Sequence, residues 1–273
     1  MPDLSVTNWG AVVRTLILAV SVLLLTFVMA CASGPDPSEL GEVPSAEDLY
    51  AEGLAKLEKG GFHFWFVDTR DYQGAIDNFQ DIIDNYPYSE YATLAELRIA
   101  DTYFDRELWE EALSYYRDFS ELHPDHEKVP YTIYRAALAH YHQSRPANRD
   151  QTATRQAVAQ LERLRKDYPQ AAESEQADQL WRELRIRLAT SVMNIGDFYM
   201  KRSEYRSAAD RFRSVLNQYP GIGLDAEALF KLGLCYREMN LNDEAARIFQ
   251  VIMENYDGSE VAAAARDYVP SSN

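Results

Sequence analysis

The hydrophobic and polar positions of this chain divide it at Cys31. Leu16 to Ala30 is a 15-residue uncharged run, Leu-Ile-Leu-Ala-Val-Ser-Val-Leu-Leu-Leu-Thr-Phe-Val-Met-Ala, behind a short polar start that carries Arg14. A helix of that length rises about 22 Å, short of the roughly 30 Å hydrocarbon core. It suits the apolar segment of a secretory leader, residues 1–30, better than a permanent span. Residues 31–45 are rich in Pro, Gly, Ser and Glu, the composition of a flexible tether. Beyond them the apolar positions recur with fixed offsets. A Tyr-Pro-type mark appears at Tyr86-Pro87, His123-Pro124, Tyr168-Pro169 and Tyr219-Pro220, with a degenerate Tyr256-Asp257, at intervals of 37, 45, 51 and 37 residues. Twelve residues before each Pro, or before Asp257, stands an alanine: Ala75, Ala112, Ala157, Ala208, Ala245. Eight residues before stands a large apolar residue: Phe79, Tyr116, Leu161, Phe212, Phe249. Further upstream a small residue precedes an aromatic by three: Ala100 and Tyr103, Gly196 and Tyr199, Gly233 and Tyr236.

These offsets predict pairs of antiparallel helices. The small residue on the first helix and the alanine on the second let the backbones approach, and the aromatics fill the space between units. Proline closes the second helix because it cannot continue one. A single pair cannot bury its apolar face, so the pairs must stack. The predicted fold class is all-α, a superhelix of about five helix-turn-helix units, and the pattern resembles the tetratricopeptide repeat.

Two units are interrupted. In the first, Gly53 takes the small position and ten extra residues fall within Lys59 to Arg70. They include Phe62, His63, Phe64, Trp65 and Phe66, which read either as a contact surface for a partner or the membrane interface, or as a plug over the end of the first repeat. In the third, Ala137 takes the small position and Ser144 to Thr154 adds eight residues of polar loop. The first helix of the fourth unit runs long, from about Glu173 to Lys201. Residues 46–142 then hold units one and two and the first helix of unit three. Residues 143–257 hold the rest of unit three and units four and five, and 258–273 a C-terminal tail.

Charge narrows the partners. The formal net charge is −16, from 43 acidic and 27 basic residues, which sets nucleic acid aside. Residues 145–213 run against this, with 14 Lys+Arg and 10 Asp+Glu, a local net of +4. That stretch is either a dock for an acidic partner or ordinary helix-surface decoration. Of the two cysteines, Cys235 sits mid-helix and reads as a small buried hydrophobe, so no disulfide framework is expected. His140 and His142 are two apart and diverge on a helix, while His123 and His126 flank a turn. Asp81 with Asp84 and Glu110 with Glu111 fall on predicted exposed faces. No HExxH, phosphate loop or GxSxG elbow occurs, so no enzyme, metal site or cofactor is expected.

Val28-Met29-Ala30-Cys31 resembles a bacterial lipobox, with small Ala30 fitting cleavage and Val28 and Met29 departing from the commoner residues. The resemblance implies that Cys31 becomes the first residue, carrying a thioether-linked diacylglycerol and an N-acyl chain. Each buried CH₂ contributes roughly 0.8 kcal/mol, so several chains anchor a soluble domain almost permanently. The alternative is an uncleaved N-terminal anchor. Ala32 in place of Asp points, by the sorting rule of enteric bacteria, to the outer membrane.

Asn85-Tyr-Pro-Tyr-Ser-Glu-Tyr-Ala92 with Ala100-Asp-Thr-Tyr-Phe104, His123-Pro-Asp-His126 with Val129 and Pro130-Tyr-Thr-Ile-Tyr-Arg135, and Trp181-Arg-Glu-Leu-Arg-Ile-Arg-Leu188 resemble the BamD (YfiO) family of outer-membrane assembly lipoproteins. The layout agrees over nearly all of residues 46–257. The resemblance implies a subunit of the β-barrel assembly machinery, binding the periplasmic domains of a BamA-like barrel subunit alongside other assembly lipoproteins. It also implies reception of unfolded outer-membrane proteins through their C-terminal signal. Counting from Gly53, Ala100 and Ala137 places Tyr50, Leu54, Leu97, Asp101, Phe104, Tyr131, Tyr134, Leu138 and Tyr141 on the inner helix face. Such a set suits a peptide ending in an aromatic residue, or else packs between helices. Arg211, nine residues before Pro220, matches the family's arginine for the barrel subunit, and Arg206 and Arg213 lie beside it. Competing readings are a coordinator of cell-wall synthesis and a secretin pilotin, both also built on this repeat.

Overall fold

The structure is a computed structural model that describes residues 43–58 and 70–269. The leader, Cys31 and the aromatic stretch Phe62–Phe66 lie outside the described residues. Every regular element among the described residues is helical. Five helix pairs follow one another: α1 (Ala46–Leu57) with α2 (Tyr72–Asn85), α3 (Glu90–Asp105) with α4 (Trp109–Leu122), α5 (Val129–Gln143) with α6 (Thr152–Asp167), α7 (Ser174–Lys201) with α8 (Tyr205–Gln218), and α9 (Asp225–Glu238) with α10 (Asn242–Asn255). A short α11 (Glu260–Ala265) and a 3₁₀ turn (Arg266–Tyr268) close the described chain. No helix among the described residues is long and apolar enough to cross a membrane.

The chain divides into compact units at residues 1–48 and 49–273. In the described part of the first, the Ser45 hydroxyl accepts the Asp48 N–H at 3.1 Å, while the Asp48 carboxylate accepts the Ser45 N–H at 3.2 Å and O–H at 2.7 Å. This reciprocal cap starts α1 at Ala46. In the second unit, consecutive helices from α2 to α11 pack each on the next.

The sequence offsets become contacts. A Cβ added to Gly196 would sit 2.5 Å from the Phe212 ring, and one on Gly233 would sit 2.8 Å from Phe249. Each aromatic packs directly on the facing backbone, and both rings are fully buried. Gly53 meets Phe79 in the same way. The Tyr-Pro mark is a helix stop: the N–H groups of Tyr86, His123, Tyr168, Tyr219 and Tyr256 each close the last turn onto Ile82, Phe119, Leu164, Val215 and Ile252. A following proline holds the residue before it out of helical ψ. Tyr256 adopts a similar stop, φ −128° and ψ 30°, ahead of Asp257.

Within units two, four and five the two helices are joined through Glu107, Ser203 and Asn240, all at φ 60°. Leu108, Glu204 and Leu241 then donate back to the carbonyls of Tyr103, Tyr199 and Tyr236 at 2.9–3.0 Å. This left-handed closure satisfies carbonyls the helix end leaves free. Unit three replaces it with the polar loop 144–151. Gln151, nearly fully buried, donates through Nε2 to the carbonyls of Arg145, Pro146 and Arg149 at 3.3, 2.8 and 3.0 Å, and accepts from the Thr154 hydroxyl at 2.9 Å.

The core changes over along α7. Ala177, Leu184 and Leu188 join the cluster of units two and three, whereas Ala189 and Met193 join that of unit four. Cys235 is fully buried in the latter, and burial pushes its thiol up to about 11. Beyond unit five, Ser259 caps α11 through the Ala262 N–H, and Tyr268 stacks on Phe249 with ring centroids 4.9 Å apart. The last pair presents an apolar face that must be covered, and α11 covers it without following the repeat offsets.

Candidate functional site: an aromatic, charge-lined groove and exposed arginines on a later helix

Helices α1, α3 and α5, the first of each pair, carry the residues expected on the inner face. Tyr50, Leu97, Asp101 and Tyr131 meet around a cavity of about 220 Å³, completed by Leu94, Arg98 and Lys128. Its floor is apolar and its rim carries two cations.

Asp101 is the hub. Its Oδ1 accepts the Tyr116 hydroxyl at 2.7 Å and the Tyr131 hydroxyl at 2.8 Å. Arg98 Nη1 and Arg135 Nε each lie 3.6 Å from its oxygens. Arg98 Nε donates to the Tyr50 hydroxyl at 3.1 Å, and Arg135 Nε to the Tyr116 hydroxyl at 3.0 Å. Burial, then the Asp101 charge, raises the Tyr116 and Tyr131 phenols far above the ordinary range. Burial opposes the charge on Arg98 and Arg135, but their bonds to Tyr50 and Tyr116, with the fields of Tyr131 and Asp101, outweigh it and hold both firmly protonated. The network ties three units together and leaves one face of Tyr50 and Tyr131 on the cavity.

Two other expected groove residues, Phe104 and Tyr141, pack against guanidinium groups. The Arg135 guanidinium lies 3.7 Å above the Phe104 ring, with Trp109 5.0 Å away at its edge. Arg187 lies 5.3 Å from the Tyr141 ring and donates through Nη1 to the Ser144 hydroxyl at 2.5 Å. Tyr134 is half-buried, and burial is the main reason its phenol is raised. Leu54 and Leu138 are half-buried. Arg98, Lys128, Arg135 and Tyr116 were not anticipated as part of this site. Two could have been found by spacing: Arg98 stands three residues before Asp101, and Arg135 four after Tyr131, the separations that share a helix face.

The four described histidines pack or bond within the fold. His142 stacks on Trp109 at 4.7 Å, while burial lowers the pKa of His140 on another side of α5. His123 Nε2 pairs with Glu96 at 2.7 Å, and His126 Nδ1 accepts the Lys128 N–H at 3.0 Å. Among the described residues no group of three His, Cys, Asp or Glu could hold a metal.

Arg206, Arg211 and Arg213 are all exposed on α8, whose buried face is Ala208, Ala209, Phe212 and Val215. At about 3.6 residues per turn, Arg206 and Arg213 share one side and Arg211 lies on the opposite flank. Arg213 is engaged by Asp210 at 2.8 Å and by the Tyr236 hydroxyl at 2.5 Å. The side chains of Arg206 and Arg211 make no ion pair among the described residues. The three arginines therefore do not form one cluster.

An aromatic cavity built from successive first helices, with exposed arginines on a later second helix, defines a tetratricopeptide-repeat scaffold. The chain belongs to the family described as YfiO, outer membrane lipoprotein, whose model matches residues 44–251, from the start of α1 into α10. Curated relatives named outer membrane protein assembly factor BamD include those of Caulobacter vibrioides, 28% identical over 90% of this chain and 77% of its own, and Rickettsia prowazekii, 28% identical over 88% and 91%. That of Vibrio cholerae is 25% identical over 86% and 96%. None of these names describes a catalyst. Among solved structures, the TPR2AB domain of yeast Sti1 in complex with pHSP90 is similar at a TM-score of 0.43, with 15% identity over 81% of this chain and 83% of that one.

Proposed function

We propose that this protein is an outer-membrane lipoprotein scaffold and receptor subunit of the β-barrel assembly machinery. The observation that carries the reading is the family match over residues 44–251, together with relatives named as assembly factors along nearly their whole length. Cys31, bearing diacylglycerol and an N-acyl chain, anchors it to the periplasmic face of the outer membrane. The cavity around Tyr50, Leu97, Asp101 and Tyr131 receives unfolded outer-membrane proteins. Its apolar floor takes an aromatic side chain, and Arg98 and Lys128 are placed to meet a carboxylate. Arg211 grips the periplasmic domains of a BamA-like barrel subunit, with other assembly lipoproteins nearby. Neither a cofactor nor catalysis enters the role.

The test is an affinity pulldown of the lipidated protein from its own outer membrane in mild detergent, read by mass spectrometry. A large β-barrel protein with repeated periplasmic domains, recovered in near-equal amount, is the expected result. Recovery of cell-wall synthases or a secretin instead would overturn the assembly role.

A further inference from the structure

On each first helix, the positions one before and two after the small residue form the face that stacks on the preceding pair. In units two, three and five these are Ile99 and Thr102, Ala136 and Ala139, and Leu232 and Cys235, all buried. The first unit, which opens the series, carries Glu52 and Ala55 there, both exposed. Unit four keeps apolar residues at these positions, yet Ile195 is 40% and Phe198 55% exposed.

The cause is the length of α7. Its 28 residues span about 42 Å, twice the length of α8. The N-terminal half supplies Ala177 and Leu184 to the core of the preceding units, so α6 is seated there. The C-terminal half runs on beyond that contact. Among the described residues the loop 144–151 reaches across, leaving a cavity of about 450 Å³ between Asn148 and Arg149 on one side and Asn194, Ile195 and Phe198 on the other. The buried Gln151 side chain pins the loop wall through three carbonyls, so the cavity is preformed. An end-of-array face is made polar; an apolar internal face left open marks a missing neighbour.

The rim carries unpaired positive charge. Arg149 lines the cavity, Lys201 stands three residues after Phe198 on the same helix, and neither makes an ion pair among the described residues. Of the acids nearby, Asp150 accepts from the Thr152 N–H and hydroxyl and sits in the fields of Arg155 and Arg145, Asp197 holds Lys231 at 2.8 Å, and Glu204 holds Arg202 at 2.9 Å.

We propose that this cavity docks an acidic segment of a partner protein, which seats an apolar side chain on Ile195 and Phe198 and sets carboxylates against Arg149 and Lys201. The site is separate from the N-terminal groove and does not use Arg211.

A photo-crosslinking amino acid placed at Phe198 of the full lipidated chain, in its own cells, tests this. The expected adduct, mapped by mass spectrometry, joins position 198 to a net-negative segment of a different protein. Its yield falls at least about fivefold in the Arg149→Glu, Lys201→Glu double variant, because the rim charges steer and hold the segment. Far-UV circular dichroism and cellular abundance stay unchanged, which separates loss of docking from loss of fold. The proposal is overturned by no adduct, by an adduct within the same chain or to a second copy, by a basic or uncharged target, or by a yield indifferent to the charge reversal. The pulldown above reads partner composition without this surface, so either result can fail alone.

Discussion

A methyl group at position 196 has no free space. In an open helix, Gly→Ala is favourable by about 0.8–1 kcal/mol. Here the new Cβ would stand 2.5 Å from a Phe212 ring that is itself fully buried and cannot swing aside. Overpacking of this kind costs about 1–3 kcal/mol, so the steric effect wins. Gly196→Ala is expected to lower the urea midpoint by an amount worth about 1–2 kcal/mol, and an unchanged or higher midpoint would refute the close approach. Asp101 poses the opposite problem, a group whose removal strands others. Asp101→Ala leaves the Tyr116 and Tyr131 hydroxyls without their acceptor and Arg98 without its anion, while Arg135 keeps only Asp105 at 3.7 Å. Its expected cost is about 2–4 kcal/mol, against about 1 kcal/mol for Tyr131→Phe, which removes a single donor. Equal losses in chemical denaturation would mean that Asp101 is not the hub.

At the scale of elements, the same helix pair is used five times and ended in different ways. Proline follows the stop of α2, α4, α6 and α8, a left-handed residue turns units two, four and five, and a buried glutamine organises the loop of unit three. The final apolar face is covered by α11 and Tyr268. Truncation after Gly258 removes that cover from Phe249 and Ile252. Because stacked repeats are stabilised mainly by their nearest neighbours, the damage should stay local. Hydrogen exchange in the truncated chain is expected to show lost protection in α9 and α10, with α3 to α6 protected as before. Uniform loss along the chain would contradict a nearest-neighbour array.

For the whole molecule, the deciding feature is the uneven spread of charge over a stack that is otherwise uniform. The chain carries −16 overall, yet residues 145–213 are net positive, and Arg211 lies exposed on one flank of α8 with no ion pair among the described residues. Reversing that charge should remove attraction to an acidic surface without touching the core, since Phe212 and Val215 face the other way. Arg211→Glu is expected to reduce co-purification of the barrel subunit with an unchanged helical spectrum, while Arg206→Glu, on the opposite flank, has a smaller effect. Full recovery of the barrel subunit with Arg211→Glu would exclude the contact. An arginine exposed to water contributes through steering and specificity more than through affinity alone, so the loss should shrink as salt is raised.

Much of this was legible in the order of residues. The helix pairs, the long α7 and the burial of Cys235 follow from spacing, because a helix repeats every 3.6 residues and proline cannot lie within one. Small and aromatic residues at fixed offsets must meet when the helices are antiparallel. What spacing cannot convey is which helices become neighbours in space and what they leave uncovered. The Asp101 network joins residues up to 85 positions along the chain, from Tyr50 to Arg135, and only the stacking brings their polar atoms within bonding distance. The three arginines of α8 stand within eight residues of sequence, yet helical geometry sends them to opposite flanks. The exposure of Ile195 and Phe198, apolar residues that the repeat pattern assigns to a buried face, is decided by the tertiary structure alone. It arises because α7 outruns the helices packed against it, and no local pattern records where a neighbour ends.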